Sequence, residues 1–166
     1  MPFCKNDKSR TYTGNEPSPK GNGYCAHAEK LFSIKNGQDG YDWIVKETKS
    51  GVKKWERLVI PKLFVAKFKK LSKTVKLKKN SIWLKNFKDL DKVVIKKITL
   101  GKSGNDILVY HDGPWNIYGD IGFQKAIKSI TSIDFKFSEQ GMQKNKVAHM
   151  EIDNKKIVEI IKNNKI

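Results

Sequence analysis

The stretch from residue 11 to residue 57 constrains the fold most, because it places proline, glycine and tryptophan in a fixed order. A Pro/Gly-rich arm leads into the segment Tyr24–Glu29, which contains one Cys and one His, and two tryptophan-bearing segments follow a Gly/Asp loop. Proline and glycine fix backbone geometry and contribute little to a hydrophobic core. The stretch therefore predicts a small, shaped unit that would be only marginally stable on its own.

The tryptophan-bearing segments predict a β-hairpin. Tyr41–Thr48 and Val52–Ile60 flank a Lys-Ser-Gly turn, in which the glycine supplies a positive φ. With the period of two that a strand imposes, Trp43 and Val45 share one face. Trp55 is expected to pair across from them.

The remaining elements are short and amphipathic. Apolar residues at helical spacing predict helices, of which one opens near Asp120 or Gly122 and the last is capped by Asp153. Ile157, Ile160 and Ile161 would form the buried side of that last helix. The other predicted elements are an irregular arm over 1–23, helices over 26–34 and after Pro61, and hairpins that pair 74–77 with 82–84, 92–100 with 106–111, and 132–137 with 147–152.

These patterns together predict an α+β fold, in which antiparallel β-hairpins carry about three short helices packed against them. Residues 1–60 are expected to hold the Pro/Gly-rich arm and a small Cys/His/Trp hairpin module. Residues 61–166 are expected to form a Lys-rich α+β domain packed on that module, because no Gly/Ser-rich spacer separates the two. The chain has no run of apolar residues long enough to span a membrane, so no membrane partner is expected.

The net charge of +17 is concentrated in the middle of the chain. Residues 61–104 contain fourteen lysines against Asp89 and Asp91, a net charge of +12, whereas residues 1–45 and 105–166 each carry only +1. Such a block favours a surface that faces a polyanion. The alternative is a solvated surface whose lysine content reflects an AT-rich genome.

The kind of basic residue also bears on function. Of the 34 basic residues only Arg10 and Arg57 are arginine. Arginine is the usual reader of guanine edges, whereas lysine acts as a hydrated point charge toward any phosphate backbone. Binding of nucleic acid without strong sequence specificity is therefore the expected function, as in genome packaging or RNA handling.

Within the basic block, lysines on the outer face of the helix predicted after Pro61 and lysines near the predicted turns are candidates for phosphate contact. Trp83 is a candidate for stacking on bases, because alternation with Ile82 and Leu84 places it away from the core face. The alternative is that Trp83 is a core residue. The predicted nucleic-acid-binding residues are Lys69, Lys70, Lys73, Lys76, Lys78, Lys79, Lys85, Lys88 and Trp83.

The resemblance of one part of the chain to a known module is carried by residues 12–29 (YTGNEPSPKGNGYCAHAE), followed by Asp39-Gly40, Trp43-Ile44-Val45 and Lys54-Trp55. This pattern resembles a short module found in proteins of nucleocytoplasmic large DNA viruses, of the mimivirus-like and algal groups. The resemblance implies a giant-virus origin and a location in the host cytoplasm, at the virus factory, or in the virion. It implies no activity.

The cysteines are expected to be reduced and unbridged, because the N-terminus lacks the apolar region of a signal peptide. Cys4, Cys25 and His27 are a weak candidate zinc site, with His111 or His149 as a fourth ligand. Their spacing differs from a double Cys-x2-Cys knuckle, so buried or hydrogen-bonded scaffold residues are the favoured interpretation. No metal or other cofactor is therefore expected.

No set of residues in the sequence specifies a reaction, so the protein is not expected to be an enzyme. The expected partner is nucleic acid, bound non-specifically. The alternative is an adaptor, in which the module around Tyr24–Trp55 docks onto a viral or host protein and the lysine block has no role in nucleic-acid binding.

Overall fold

The computed structural model describes residues 1–133, 136–137 and 146–163, apart from the side chains of Trp83, Trp115, Lys136 and Phe137. The chain divides into two compact units, Met1–Leu58 and Val59–Ile166. Each unit holds an antiparallel sheet, and the described residues of the second add α-helices. The expected α+β class is therefore confirmed.

The first unit begins with an arm that folds back on itself. Phe3 and Thr11 form an isolated antiparallel bridge, and the N–H of Cys4 donates to the carbonyl of Arg10 at 2.8 Å. A disulfide joins Cys4 to Cys25, whose Cα atoms lie 6.0 Å apart, within the usual range for such a bond. The expectation of unbridged cysteines is thus wrong. The fold of the arm brings together two residues that are 21 positions apart, which spacing in the sequence does not reveal.

The sheet of the first unit has three strands in chain order: β1 (Ile34–Asn36), β2 (Asp42–Glu47) and β3 (Lys53–Arg57). The predicted hairpin of β2 and β3 is confirmed, and Gly51 in its turn has φ +81°. Val45 lies directly opposite Trp55, as expected. The indole Nε1 of Trp55 donates to the carbonyl of Tyr24 at 2.8 Å, which ties this sheet to the arm.

The helix predicted over residues 26–34 is wrong. Only Ala26–Ala28 forms a single 3-10 turn, and a second 3-10 turn covers Pro19–Asn22. Phe32 has φ +65°, a left-handed conformation that interrupts any right-handed helix, and β1 begins two residues later.

The second unit contains a five-stranded antiparallel sheet. Its strands, in spatial order, are β4 (Lys73–Lys76), β5 (Lys92–Leu100), β6 (Asp106–His111), β8 (Val147–Glu151) and β7 (Lys136–Phe137). The hairpin of β5 and β6 is confirmed, and Gly104 in its turn has φ +80°. The pairing of β7 with β8 is also confirmed, with Lys136 opposite Glu151, while the predicted loop between them lies largely outside the described residues.

The helices in the described part of the second unit are α1 (Lys62–Ala66), α2 (Ile121–Thr131) and α3 (Asn154–Asn163). A 3-10 turn over Trp115–Gly119 leads into α2. The side chain of Asp120 accepts the N–H of Phe123 at 3.0 Å, and that of Asp153 accepts the N–H of Lys156 at 3.0 Å. Both carboxylates therefore cap the helix that follows them, as predicted. The three isoleucines predicted to lie on the inner side of α3 are buried.

The strand predicted at residues 82–84 is wrong. Ile82–Asn86 forms a 3-10 turn, and β4 pairs with β5, where Val75 lies opposite Val93. Local periodicity identified β4 but not its partner, since the choice of partner depends on contacts that are distant in the sequence.

One face of the five-stranded sheet carries the core of the second unit. Strand residues that point to this face are almost fully inaccessible to solvent, and Phe123 and Ile127 of α2 are buried with them. The strand residues on this face are Val75, Val93, Ile95, Ile98, Ile107, Val109, Ala148 and Met150. The opposite face of the sheet is partly exposed, and it carries Lys76, Lys92 and Lys97.

Candidate nucleic-acid interface

The edge strand β4 displays two of the predicted lysines. Val75 points into the core, whereas Lys73 and Lys76 are exposed. Within the described residues, β4 is the first strand in the sheet order, and its paired edge is the one facing β5. The register places Lys76 directly opposite Lys92. Like charges at opposed positions repel, and a bound anion would relieve that repulsion.

The open face of the sheet extends this positive surface beyond β4. Lys97 lies opposite Tyr110, and its Nζ is 4.5 Å from the centroid of the Tyr110 ring. Lys92 and Lys97 flank the buried Val93 and Ile98 and therefore point to the open face. The sequence prediction did not include Lys92, Lys97 or Tyr110. In the sequence, these residues lie next to apolar residues of β5 and β6 that are buried. This alternation of polar and apolar residues is the signal that could have identified them.

Lys69 and Lys70 lie in the turn between α1 and β4, and both are exposed. Their predicted place on the helix after Pro61 is wrong, because α1 ends at Ala66. The carbonyl of Phe68 in this turn accepts the N–H of Leu71 at 3.2 Å and that of Ile98 at 3.4 Å. These bonds hold the turn beside β5. The two lysines are thus presented by backbone that is anchored to the sheet.

The backbone of Lys78 and Lys79 is held by a buried carboxylate. Asp120 is fully buried, and its oxygens accept the N–H of Lys78 at 2.9 Å and that of Lys79 at 2.6 Å. Asn80 adds a third link, since its Oδ1 accepts the N–H of Ile121 at 2.7 Å. The 78–80 segment is therefore fastened to the start of α2, with the side chain of Lys78 exposed.

The side chain of Lys79 differs from the other candidates, because it has partners within the protein. Its Nζ donates to the carbonyl of Lys88 at 2.5 Å and lies 2.8 Å from a carboxylate oxygen of Asp91. The hydrogen bond from Lys79 to Asp91 and the charges of Lys79, Lys76 and Lys92 lower the pKa of Asp91. Asp91 therefore sits among several cations, and Lys79 is the candidate least available to a phosphate.

Lys85 and Lys88 lie in and after the 3-10 turn over Ile82–Asn86, and both are exposed. Between them, Phe87 retains 41% of its accessible surface. Trp83 lies in the same turn, but its side chain is outside the described part of the structure. The stacking role of Trp83 therefore stays a prediction, and the strand alternation on which it was based is not present.

The hypothesis of a zinc site at Cys4, Cys25 and His27 is wrong. Zinc binds cysteine as the thiolate, and both sulfurs are joined in the disulfide. His111 and His149 belong to the second unit, where Nδ1 of His111 accepts the N–H of Gly113 at 3.1 Å. Within the residues that the structure describes, no group of three or more His, Cys, Asp or Glu side chains could hold a metal ion.

His111 is a buried histidine at the end of β6. It is 1% exposed, and its ring packs edge-on against Phe123 with centroids 5.6 Å apart. Burial lowers the pKa of His111 to about 4. Its Nε2 has no hydrogen-bond partner among the described residues, so the ring is a neutral core group and not part of the lysine surface.

Comparison of the chain with protein-family models, with curated proteins and with solved structures finds no match. Among the described residues, no helix is both long and apolar enough to cross a membrane.

Proposed function

We propose that the second unit binds nucleic acid through its lysine-rich surface, without strong sequence specificity. The observation that carries the proposal is the exposure of most of the predicted lysines on anchored backbone. The exposed candidates that make no ion pair within the described part of the chain are Lys69, Lys70, Lys73, Lys76, Lys78, Lys85 and Lys88.

The composition of this surface supports backbone contact over base readout. Its cations are all lysines, which neutralise phosphates as point charges and release counterions from any duplex or single strand. On the open face, Lys92 opposite Lys76 and Lys97 beside Tyr110 add two charges. The resemblance of the first unit to the giant-virus module supports a viral origin, with packaging or handling of a viral genome or transcript as the context.

A charge-reversal pair tests the proposal. One variant replaces Lys73, Lys76 and Lys85 by Glu. The control variant replaces Lys102, Lys125 and Lys155, which are exposed residues of the same unit outside the proposed surface, by Glu. The two variants have the same net charge, so any difference between their affinities for nucleic acid depends on where the substituted lysines lie.

The readout is the affinity for single-stranded and double-stranded probes of several sequences, measured by gel shift across a range of salt concentrations. Loss of three phosphate contacts should lower the slope of log affinity against log salt by about 2 to 3. The control should keep the wild-type slope. Absence of retardation of every probe by the wild-type protein at about 50 mM salt, where electrostatic binding is strong, would contradict the proposal and leave the adaptor as the alternative.

A further inference from the structure

The first unit contains a cleft of about 490 Å³ that the lysine surface of the second unit does not involve. The arm and β3 both contribute residues to its lining. Its basic lining residues come from separate segments: Arg10 from the arm, Lys20 from a 3-10 turn, and Lys53 and Lys54 from β3. None of the described lining residues is Asp or Glu.

The cations of the cleft are only partly compensated by neighbouring groups. Arg10 Nε lies 3.6 Å from a carboxylate oxygen of Asp7, which is longer than a hydrogen bond. Lys53 Nζ donates to a backbone carbonyl, that of Glu29, at 2.8 Å, so this contact positions the ammonium without neutralising it. The cleft therefore concentrates positive charge in a concave site, which raises the local concentration of anions.

The other two cations have carboxylate neighbours outside the cleft. Lys20 Nζ is 3.4 Å from Glu16, and Lys54 Nζ is 3.0 Å from Glu56. An ammonium has three donors, so one such contact leaves donors for a ligand. Ser9, Thr11 and Ser18 add hydroxyl groups to the lining. Ammonium, guanidinium and hydroxyl donors together suit the oxygens of a phosphate group.

The size and the aromatic lining of the cleft indicate a ligand that is larger than a phosphate ion. Its volume falls in the range of sites for small organic ligands. Trp55 lines it, and the hydrogen bond from its Nε1 to Tyr24 fixes the orientation of the indole. A fixed aromatic side chain beside cations is suited to a planar ring that carries a phosphate.

We propose that this cleft binds a nucleoside phosphate, with the phosphate on Arg10 and Lys53 and the base or sugar against Trp55. A free nucleotide and the 5′-phosphorylated end of a nucleic acid present the same chemistry. The site is separate from the proposed nucleic-acid surface, and its existence does not depend on that surface.

Isothermal titration of the oxidised full-length protein with AMP, adenosine and inorganic phosphate tests the proposal. AMP should bind with a submillimolar Kd, adenosine should not bind measurably, and phosphate should bind more weakly than AMP. A 5′-phosphorylated oligonucleotide is then compared with the same oligonucleotide bearing a 5′-hydroxyl, so that contacts to the internal phosphates cancel. Tighter binding of the phosphorylated oligonucleotide would show that the cleft accepts the 5′-phosphate of a nucleic-acid end. Equal binding of the two oligonucleotides would restrict the site to free nucleotides.

The variant R10Q/K53Q should weaken AMP binding about tenfold or more, since it removes two charge-assisted contacts. The control K30Q/K49Q changes two exposed lysines of the same unit that do not line the cleft and should bind AMP as the wild type does. A second cleft variant, K20Q/K54Q, provides the test if R10Q/K53Q melts at a lower temperature than the wild type. No binding of AMP at millimolar concentration, or equal loss in the cleft and control variants, would overturn the proposal.

Discussion

A carboxylate oxygen of Asp120 accepts the backbone N–H of Lys79 at 2.6 Å, although the two residues are 41 positions apart. The same carboxylate accepts N–H groups from Lys78 and Phe123. One buried side chain therefore caps α2 and also fixes the 78–80 segment of the lysine block. The position of that part of the basic surface depends on a residue that carries the opposite charge.

Replacing Asp120 by Ala should destabilise the second unit by about 2 to 4 kcal/mol, because a helix cap is lost and two further, partly buried N–H groups lose their acceptor. Asp153→Ala is the matched control, since Asp153 is an exposed cap of α3. Its loss should cost only about 1 kcal/mol. Urea unfolding measures the free energy of unfolding of both variants. Equal losses would show that the bonds to Lys78 and Lys79 do not stabilise the fold.

The stability of the second unit should fall in mild acid because of His111. Its folded-state pKa is lowered to about 4 from an ordinary value of 6.5. In the pH range between these values, the unfolded chain takes up a proton that the folded protein does not. The stabilising effect of the neutral ring is thus complete above pH 6.5 and is lost as the pH falls toward 4, by about 3 kcal/mol at most.

Urea unfolding at pH 7.5 and pH 4.5 measures this loss, with His111→Gln as the variant that removes the titrating group. His149→Gln is the control, because His149 is only partly buried. The wild type and H149Q should lose stability in parallel, whereas H111Q should lose less. An identical acid loss in all three proteins would assign it to other groups.

Reduction of the disulfide should loosen the arm of the first unit. The bond closes a loop of 21 positions, which corresponds to about 3 kcal/mol in the chain-entropy model. The Cys4→Ser/Cys25→Ser variant, or the wild type in dithiothreitol, should therefore unfold at a lower urea concentration. Dithiothreitol should not affect the double variant, and an effect of the same size there would contradict this assignment.

The connection between the two units should resist proteolysis. Ile60 is fully buried, and its N–H donates to the carbonyl of Gly104 at 2.7 Å. A protease needs several residues in an extended, accessible conformation, and bonds of this kind keep the chain inaccessible. Brief digestion with trypsin should cut elsewhere first, and early release of a stable fragment that starts near Lys62 would show the prediction to be wrong.

Trp83 provides a test that separates single strands from duplexes. If bases stack on its indole, Trp83→Ala should weaken binding of single strands by about 1 to 3 kcal/mol and leave duplex binding almost unchanged. Gel shifts with matched single- and double-stranded probes measure the difference. A similar loss of affinity for both probes would indicate that Trp83 supports the fold and does not contact bases.

Elements with a local chemical signal were predictable from the sequence. Gly51 and Gly104 marked two hairpin turns, and Asp120 and Asp153 marked the starts of two helices. These signals depend on the backbone geometry of one or two residues. They therefore do not depend on contacts with distant parts of the chain. The strand predicted over 74–77 likewise corresponds to β4.

The errors arose where distant contacts decide the structure. Residues 82–84 resembled a strand, but β4 has its partner in β5, so those residues form a 3-10 turn. The disulfide could not be predicted, because only the folding of the arm brings Cys4 close to Cys25. The second role of Asp120 was also hidden, since its bonds to Lys78 and Lys79 span about 40 positions.

The place of β4 at the border of its sheet has a consequence for solubility. A strand with one unpaired edge is a template on which another chain can add, and lysine side chains along such an edge oppose that addition. Lys73 and Lys76 therefore oppose the addition of another chain to β4. Substitution by Glu keeps a charge on this strand, whereas substitution by Thr or Val would leave a neutral strand that no longer opposes such pairing.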